Sequence, residues 1–283
     1  MLAYARRWDS SDMSLVPLSP IEAGELLSRY RGFAVDLDGV MWRGDEPVMG
    51  AASAIAQMRT HGARVVFLTN NGGSSPAEFA RRLTDAGVPA DGADVITSVT
   101  VAREWTEAAG LERPRIVVLG APALCEQVED FASVVAFDDG SPDVVLLGRD
   151  TDFDFETLDR ASRAIRDGAA FLALNLDATM PIEGGLAPGT GALAAALIVA
   201  SGREPIVMGK PQFAMMQCAR RILGTNEALM IGDRLDSDIA GAIQIGWDAA
   251  LVLTGVTHHD DELVPEPTYL LNSISDLGAH QRE

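Results

Sequence analysis

Phe33-Ala34-Val35-Asp36-Leu37-Asp38-Gly39-Val40-Met41-Trp42 is the stretch on which the fold turns. It opens as a short apolar run rich in strand formers, and it ends in two carboxylates one residue apart, followed at once by glycine. Successive residues of a strand point to opposite faces. Asp36 and Asp38 therefore share a face and can converge on one ligand where extended geometry continues past the strand tip. Asp-Gly is also an ordinary turn signal. The pair gains a chemical meaning only from what arrives beside it.

Working outward, Ser19-Pro20-Ile21-Glu22 has Ser at an N-cap, Pro at N1 and Glu at N3, and predicts a helix to about 29, behind a loose extension over 1–18. Downstream, Trp42 and the turn pair Gly44-Asp45 predict a small hairpin over 42–47. A helix over 51–60 then leads to a second buried strand, Arg64-Val65-Val66-Phe67-Leu68-Thr69. Strand, crossover helix and strand make a βαβ unit, so both strands are parallel and their carboxyl ends share one sheet edge. That places Thr69 and Asn70 beside Asp36 and Asp38. A capping-box pattern at Ser75-Pro76-Ala77-Glu78 opens a further helix.

The segment 88–186 repeats the alternation of strand-like and helical runs, and a length of 283 residues favours reading it as a separate α/β unit inserted into the first. The expected division is a core domain over 19–87 and 187–283, with an inserted domain over 88–186. After a helix over 192–200, Val207-Met208-Gly209-Lys210-Pro211 reads as a short strand and turn, with Pro211 at N1 of the next helix. Ala228-Leu229-Met230-Ile231-Gly232-Asp233 is a third buried strand ending in an acid, followed by Asp236 and Asp238. A strand over 249–253 and a polar, weakly patterned tail complete the chain.

Ligands of parallel α/β sheets bind outside the carboxyl ends of the strands. Asp36, Asp38, Thr69, Asn70 and Asp233 all fall at such ends, with Lys210 on the turn before the third. Lys210 is the only lysine, against 21 arginines, which suggests a position that needs a compact ammonium rather than a planar fork. Clustered carboxylates repel unless a cation neutralises them, and oxygen-only ligands suit a hard ion such as Mg²⁺. A lysine and a hydroxyl are groups that hold a phosphoryl group. The formal charge of −19 argues against an extended nucleic-acid surface. No apolar run is long enough to span a membrane and no leader pattern opens the chain, so a cytoplasmic protein is expected. Cys125 and Cys218 stand far apart without a metal-ligand spacing and read as core residues.

Asp36-Leu37-Asp38-Gly39-Val40, Leu68-Thr69-Asn70-Asn71, Gly209-Lys210-Pro211 and Gly232-Asp233-Arg234-Leu235-Asp236-Ser237-Asp238 resemble, in order, the four motifs of haloacid-dehalogenase-like (HAD) hydrolases. The likeness is greatest to the NagD-like and p-nitrophenyl-phosphate phosphatases, which carry an α/β cap between the second and third motifs. It covers about 32–257. It implies a Rossmann-like parallel-sheet core with an inserted cap, and hydrolysis of a small phosphate monoester with Mg²⁺ through an aspartyl-phosphate. In that family pattern Asp36 is the nucleophile and a metal ligand. Asp38 is the general acid and base, and its backbone carbonyl also binds the metal. Asp233 is the second carboxylate ligand, with Asp238 acting through water or orienting its neighbours. Thr69, Asn70 and Lys210 hold the phosphoryl group.

Asn175-Leu176-Asp177 resembles the cap segment that touches substrate, although Leu174 replaces the threonine usual before it. Trp42 either walls the site or packs the hairpin. His61, His258, His259 and His280 lie off the motifs, and Asp236 reads best as an N-cap. A small phosphorylated metabolite is the expected partner, and a homodimer through the cap is compatible with the pattern. Asp38 and Asp233 speak against a dehalogenase, and the lack of a second lysine speaks against a phosphonatase. A phosphotransferase or mutase on the same core, or a phosphate-binding regulatory protein without turnover, remain the alternatives.

Overall fold

The structure, a computed structural model, describes residues 16–182 and 185–278. The loose extension expected over 1–18 lies outside the described residues except for its last three. Of these, Leu18 donates its N–H to Leu270 O at 2.8 Å and packs on the core. Within the described residues the chain forms two compact units. One comprises the chain to Thr69, Pro76–Ile96 and the chain from Lys210 onward; the other comprises Asn70–Ser75 and Thr97–Gly209.

The first unit is built on a sheet with strand order Tyr269–Leu271, Asp248–Val252, Ala228–Gly232, Gly32–Asp36, Arg64–Thr69, Val95–Thr97. The register pairs Val35 with both Phe67 and Ile231, and Asp36 with Leu68, all in parallel. The central strands read as continuous apolar runs because both of their faces are covered. Phe33, Val35, Val65, Phe67, Leu229 and Ile231 join one cluster with Ile55 and Met58 of helix Ala51–Thr60 and with Phe79 and Leu83 of helix Pro76–Asp85. The alternate residues Ala34, Val66, Leu68 and Met230 are buried as well, and helix Phe213–Leu223 packs on these strands with Met215, Met216 and Ala219 fully enclosed. Each large side chain so buried stabilises the fold by about 1.5–3 kcal/mol.

The capping box at Ser19 forms as expected: Glu22 N donates to Ser19 Oγ at 3.4 Å and Ser19 N to Glu22 Oε2 at 2.9 Å, opening helix Pro20–Arg29. The expected hairpin also forms, Trp42–Arg43 against Glu46–Pro47.

The second unit has its own parallel sheet, in the order Ile206–Val207, Ala170–Ala173, Val144–Leu147, Arg115–Leu119, Ser133–Val134. Val117, Leu119, Val145, Leu147 and Phe171 pack against Ala161 and Ile165 of helix Phe155–Arg166 and Ala194 and Leu197 of helix Thr190–Ser201.

Both boundaries of this unit differ from the expected 88–186. Val95–Thr97 adds to the edge of the first sheet, which moves the start to Thr97. Helix Thr190–Ser201 and strand Ile206–Val207 belong to the second sheet's layers, which moves the end to Gly209. Two further expectations are corrected. Pro211 is not the first helical residue, because the next helix begins at Phe213 with Gln212 at its cap. The tail is not featureless, because Tyr269–Leu271 extends the first sheet. No helix among the described residues is long and apolar enough to cross a membrane.

Candidate active site

Three strand ends of the first unit meet in register. Asp36 closes its strand opposite Leu68, so Thr69 lies one residue beyond it on the neighbouring strand. On the other side Val35 pairs with Ile231, which puts Gly232 and then Asp233 at the same edge. Asp36, Thr69, Lys210, Asp233 and Asp238 are all buried there, whereas Asp38 is exposed at the rim.

Lys210 Nζ bonds Asp36 Oδ1 and forms an ion pair with Asp238 Oδ1 at 2.7 Å. The other oxygen of Asp238 accepts from Asp233 N at 3.2 Å and Arg234 N at 3.1 Å, tying down the turn that carries Asp233. Asp233 Oδ2 accepts from Val256 N at 2.7 Å, while its Oδ1 is buried without a hydrogen-bond partner. Carboxylate oxygens of Asp36, Asp233 and Asp238 lie within 4.8 Å of one another.

The electrostatics follow from this crowding. Burial, then the charges of Asp238 and Asp233, hold the Asp36 carboxyl well above the usual range, against the pull of Lys210. Burial and the charge of Asp238 push Asp233 up to about 6, with the Val256 N–H opposing. Burial alone would lower the pKa of the Lys210 ammonium, but Asp238 and Asp36 outweigh it and raise it. With all three carboxylates ionised, one ammonium would leave two negative charges uncompensated. A divalent oxygen-seeking cation matches that deficit, and the orphaned Asp233 Oδ1 is a ligand of the right type for it. The residues present therefore fit a divalent metal.

Two glycines make room for this arrangement. Gly39 has φ of 86°, a conformation that disfavours a side chain, and a Cβ there would sit 2.4 Å from Asp233 Oδ2. A Cβ on Gly255 would lie 1.9 Å from the same atom. Gly255→Ala is therefore expected to displace the Asp233 carboxylate and weaken binding of a divalent cation about tenfold or more. A magnesium titration followed by calorimetry checks this; unchanged affinity would mean that Asp233 is not a ligand.

Asp38 is held from one side. The backbone folds back after Asp38, with Gly39 N donating to Trp42 O at 2.7 Å, and Trp42 Nε1 donates to Asp38 Oδ1 at 2.9 Å. Of the two readings of Trp42, the structure shows the packing one: the ring is buried in the core, and only its Nε1 reaches Asp38.

Asn70, Asn175 and Asp177 belong to the second unit. Asn175 Nδ2 donates to Asn70 O at 3.3 Å, and its Oδ1 accepts from Asp177 N at 3.2 Å, so the asparagine ties two loops together there. Asp236 is not an N-cap: it lies in the turn Leu235–Ile239 and pairs with Arg234 at 2.8 Å. His61, His258 and His259 are exposed, and His280 lies outside the described residues. Cys125 and Cys218 are free thiols. Nothing in the sequence pattern points to Thr254, whose Oγ1 donates to Gly39 O at 2.6 Å, or to the Val256 N–H.

A family model for haloacid dehalogenase-like hydrolases matches residues 33–132, and a second, HAD-hydrolase-like model matches 207–277. The chain is 32% identical to 5′-nucleotidase YutF of Bacillus subtilis over 88% of its own length and 98% of the relative's. It is 38% identical to D-glycerol 3-phosphate phosphatase of Mycobacterium tuberculosis over 86% of its length and 69% of the relative's. Among solved structures, p-nitrophenyl phosphatase from Archaeoglobus fulgidus superposes with a TM-score of 0.82 at 27% identity, over 88% of this chain and 98% of that one. The glycerol phosphate phosphatase of Mycobacterium tuberculosis in complex with magnesium gives 0.80 at 35% identity, over 91% and 79%. With matches of this extent on the motifs that form the carboxylate cluster, the chain belongs to the haloacid-dehalogenase-like hydrolases, in the NagD-like and p-nitrophenyl-phosphate phosphatase subfamily.

Proposed function

We propose that this hydrolase cleaves a small phosphate monoester with Mg²⁺ through an aspartyl-phosphate on Asp36. The observation that supports it most is the juxtaposition of a buried Asp36, bonded to Lys210, with an exposed Asp38 two residues on. The two acids occupy environments suited to different tasks. A carboxylate oxygen of Asp36 attacks phosphorus and the bond to the leaving oxygen breaks; Asp38 donates the proton that this oxygen needs. Asp38, now a carboxylate, takes a proton from water as that water attacks phosphorus, and Asp36 is freed with release of inorganic phosphate.

Lys210 and Thr69 stabilise the phosphoryl oxygens in both steps, and Asn70 is assigned to the same task. Asp36, Asp233 and the backbone carbonyl of Asp38 would hold the metal, with Asp238 fixing the Asp233 turn and the ammonium. When bound, Mg²⁺ supplies positive charge that screens the phosphoryl oxygens from the nucleophile. Asn175 and Asp177 are assigned to substrate selection. The relatives named above act on nucleotides, glycerol phosphate and p-nitrophenyl phosphate, and the substrate proposed here is of that general class.

The test is a panel of sugar phosphates, glycerol phosphate, nucleoside monophosphates, pyridoxal phosphate and p-nitrophenyl phosphate, with magnesium or with chelator. Phosphate release that chelator abolishes is expected. No release from any ester would instead favour a phosphate-binding protein.

Metal and pH are linked. With Asp233 raised from 3.8 to about 6, the metal-free fold binds a proton more tightly than the unfolded chain does, so its stability falls as pH rises through that window. A cation replaces that proton and restores the loss. Magnesium at about a hundredfold its dissociation constant adds about 2.7 kcal/mol, or roughly 5–10 °C in a chain of this size. Thermal melts at pH 8 are expected to show that gain, and melts at pH 5 less than half of it. Equal gains at both pH values would contradict a carboxylate site.

A further inference from the structure

Trp42 is a large core side chain of the first unit, and its polar atom bonds a carboxylate of the site. Its ring is 1% exposed, stacked on Phe79 with centroids 6.4 Å apart and planes 6° apart. The Arg82 guanidinium covers it at 4.0 Å from the ring centroid. Arg82 also donates to Gly44 O, at the turn of the Trp42–Pro47 hairpin. The ring is thus gripped from helix Pro76–Asp85, and its Nε1–H is aimed at Asp38 Oδ1 at 2.9 Å. A strand neighbour could not do this. The chain must reverse through Gly39, whose φ of 86° and N–H to Trp42 O bring residue 42 back beside residue 38.

An indole N–H donates and cannot accept. It therefore engages one carboxylate oxygen permanently as an acceptor. The transferable proton is left to the other oxygen, and rotation of an otherwise exposed carboxyl group is restrained. Resting on the phosphatase reading above, we propose that Trp42 is a positioning residue that fixes which oxygen of Asp38 serves proton transfer, with Arg82 and Phe79 as its clamp.

Such a role has a signature that packing alone lacks. A misplaced general acid hurts esters whose leaving oxygen needs a proton and spares those whose leaving group departs unaided. Trp42→Phe keeps the aromatic stack and the guanidinium contact but removes the N–H. With magnesium present, its kcat on phenyl phosphate is expected to fall about 10- to 100-fold, with less than about threefold loss on p-nitrophenyl phosphate and little change in KM. Trp42 replaced by benzothienylalanine, which keeps the bicyclic shape without the N–H, is expected to show the same split. Phe79→Leu, which loosens the packing but leaves the donor, is expected to lower both rates by a similar factor.

Equal losses on the two esters in both Trp42 variants, or no loss on either, would overturn the proposal. Asp36→Asn assayed in parallel separates the two levels: turnover surviving there sinks the phosphatase reading itself, whereas an inactive Asp36→Asn with an unsplit Trp42→Phe sinks only the role of Trp42.

Discussion

Asp36→Asn is expected to lower turnover on every ester by a factor on the order of 10⁴ or more, with a native circular dichroism spectrum. The amide is close to isosteric with the carboxylate, so it leaves the strand tip intact, but it lacks the nucleophilic oxygen that must bond to phosphorus. The substitution also removes one of the charges that crowd the site. Lys210 keeps its ion pair with the buried Asp238, so little folding stability is at stake in the loss of the Asp36 charge. A melting temperature within a few degrees of the parent, together with absent turnover, separates chemistry from structure. Undiminished activity would mean that the reaction does not pass through Asp36.

Lys210→Met is expected to damage both function and fold. Lys210 is 5% exposed and its ammonium sits between Asp36 and Asp238, the latter completely buried. Removing one member of a buried ionic cluster leaves the others uncompensated, at a cost of about 3–5 kcal/mol. For a chain of this size that is a fall in melting temperature of roughly 6–20 °C in the metal-free protein. Magnesium should recover part of it, because the cation supplies charge at the same edge. Turnover is expected to drop at least a hundredfold even with metal, since the phosphoryl oxygens lose a charged donor. Lys210→Arg should rescue stability better than activity, because the planar guanidinium is larger than the ammonium that the cluster encloses. A Lys210→Met protein that melts like the parent would contradict the balance of charges drawn here.

The site's charged residues were legible because a parallel sheet imposes a pattern that a sequence must obey. Buried central strands need apolar runs, and whatever follows those runs at the carboxyl end faces the ligand. Asp36, Thr69 and Asp233 each stand at such a junction, and the solitary Lys210 stood out among arginines. The elements that escaped prediction are those in which the pattern is too short or ambiguous. Val95–Thr97 and Tyr269–Leu271 have three residues each, fewer than periodicity needs. Helix Thr190–Ser201 is apolar on nearly every face, so its composition did not reveal which layer it covers, and the boundary of the second unit was misplaced with it.

The groups that aim Asp233 were hidden for another reason. Val256 contributes only a backbone N–H, which every residue but proline has, and Gly255 matters through the space it leaves. The bond from Trp42 to Asp38 depends on the reversal at Gly39, which an Asp-Gly pair signals without specifying its partner.

The most direct measurement is an acid quench of the enzyme with magnesium and p-nitrophenyl phosphate in the first turnovers, followed by peptide mapping of the covalently bound phosphate. A hydroxylamine-sensitive acyl-phosphate on the peptide containing Asp36, absent from Asp36→Asn, is the expected result. Full turnover with no such adduct, or an adduct on another residue, would contradict the mechanism.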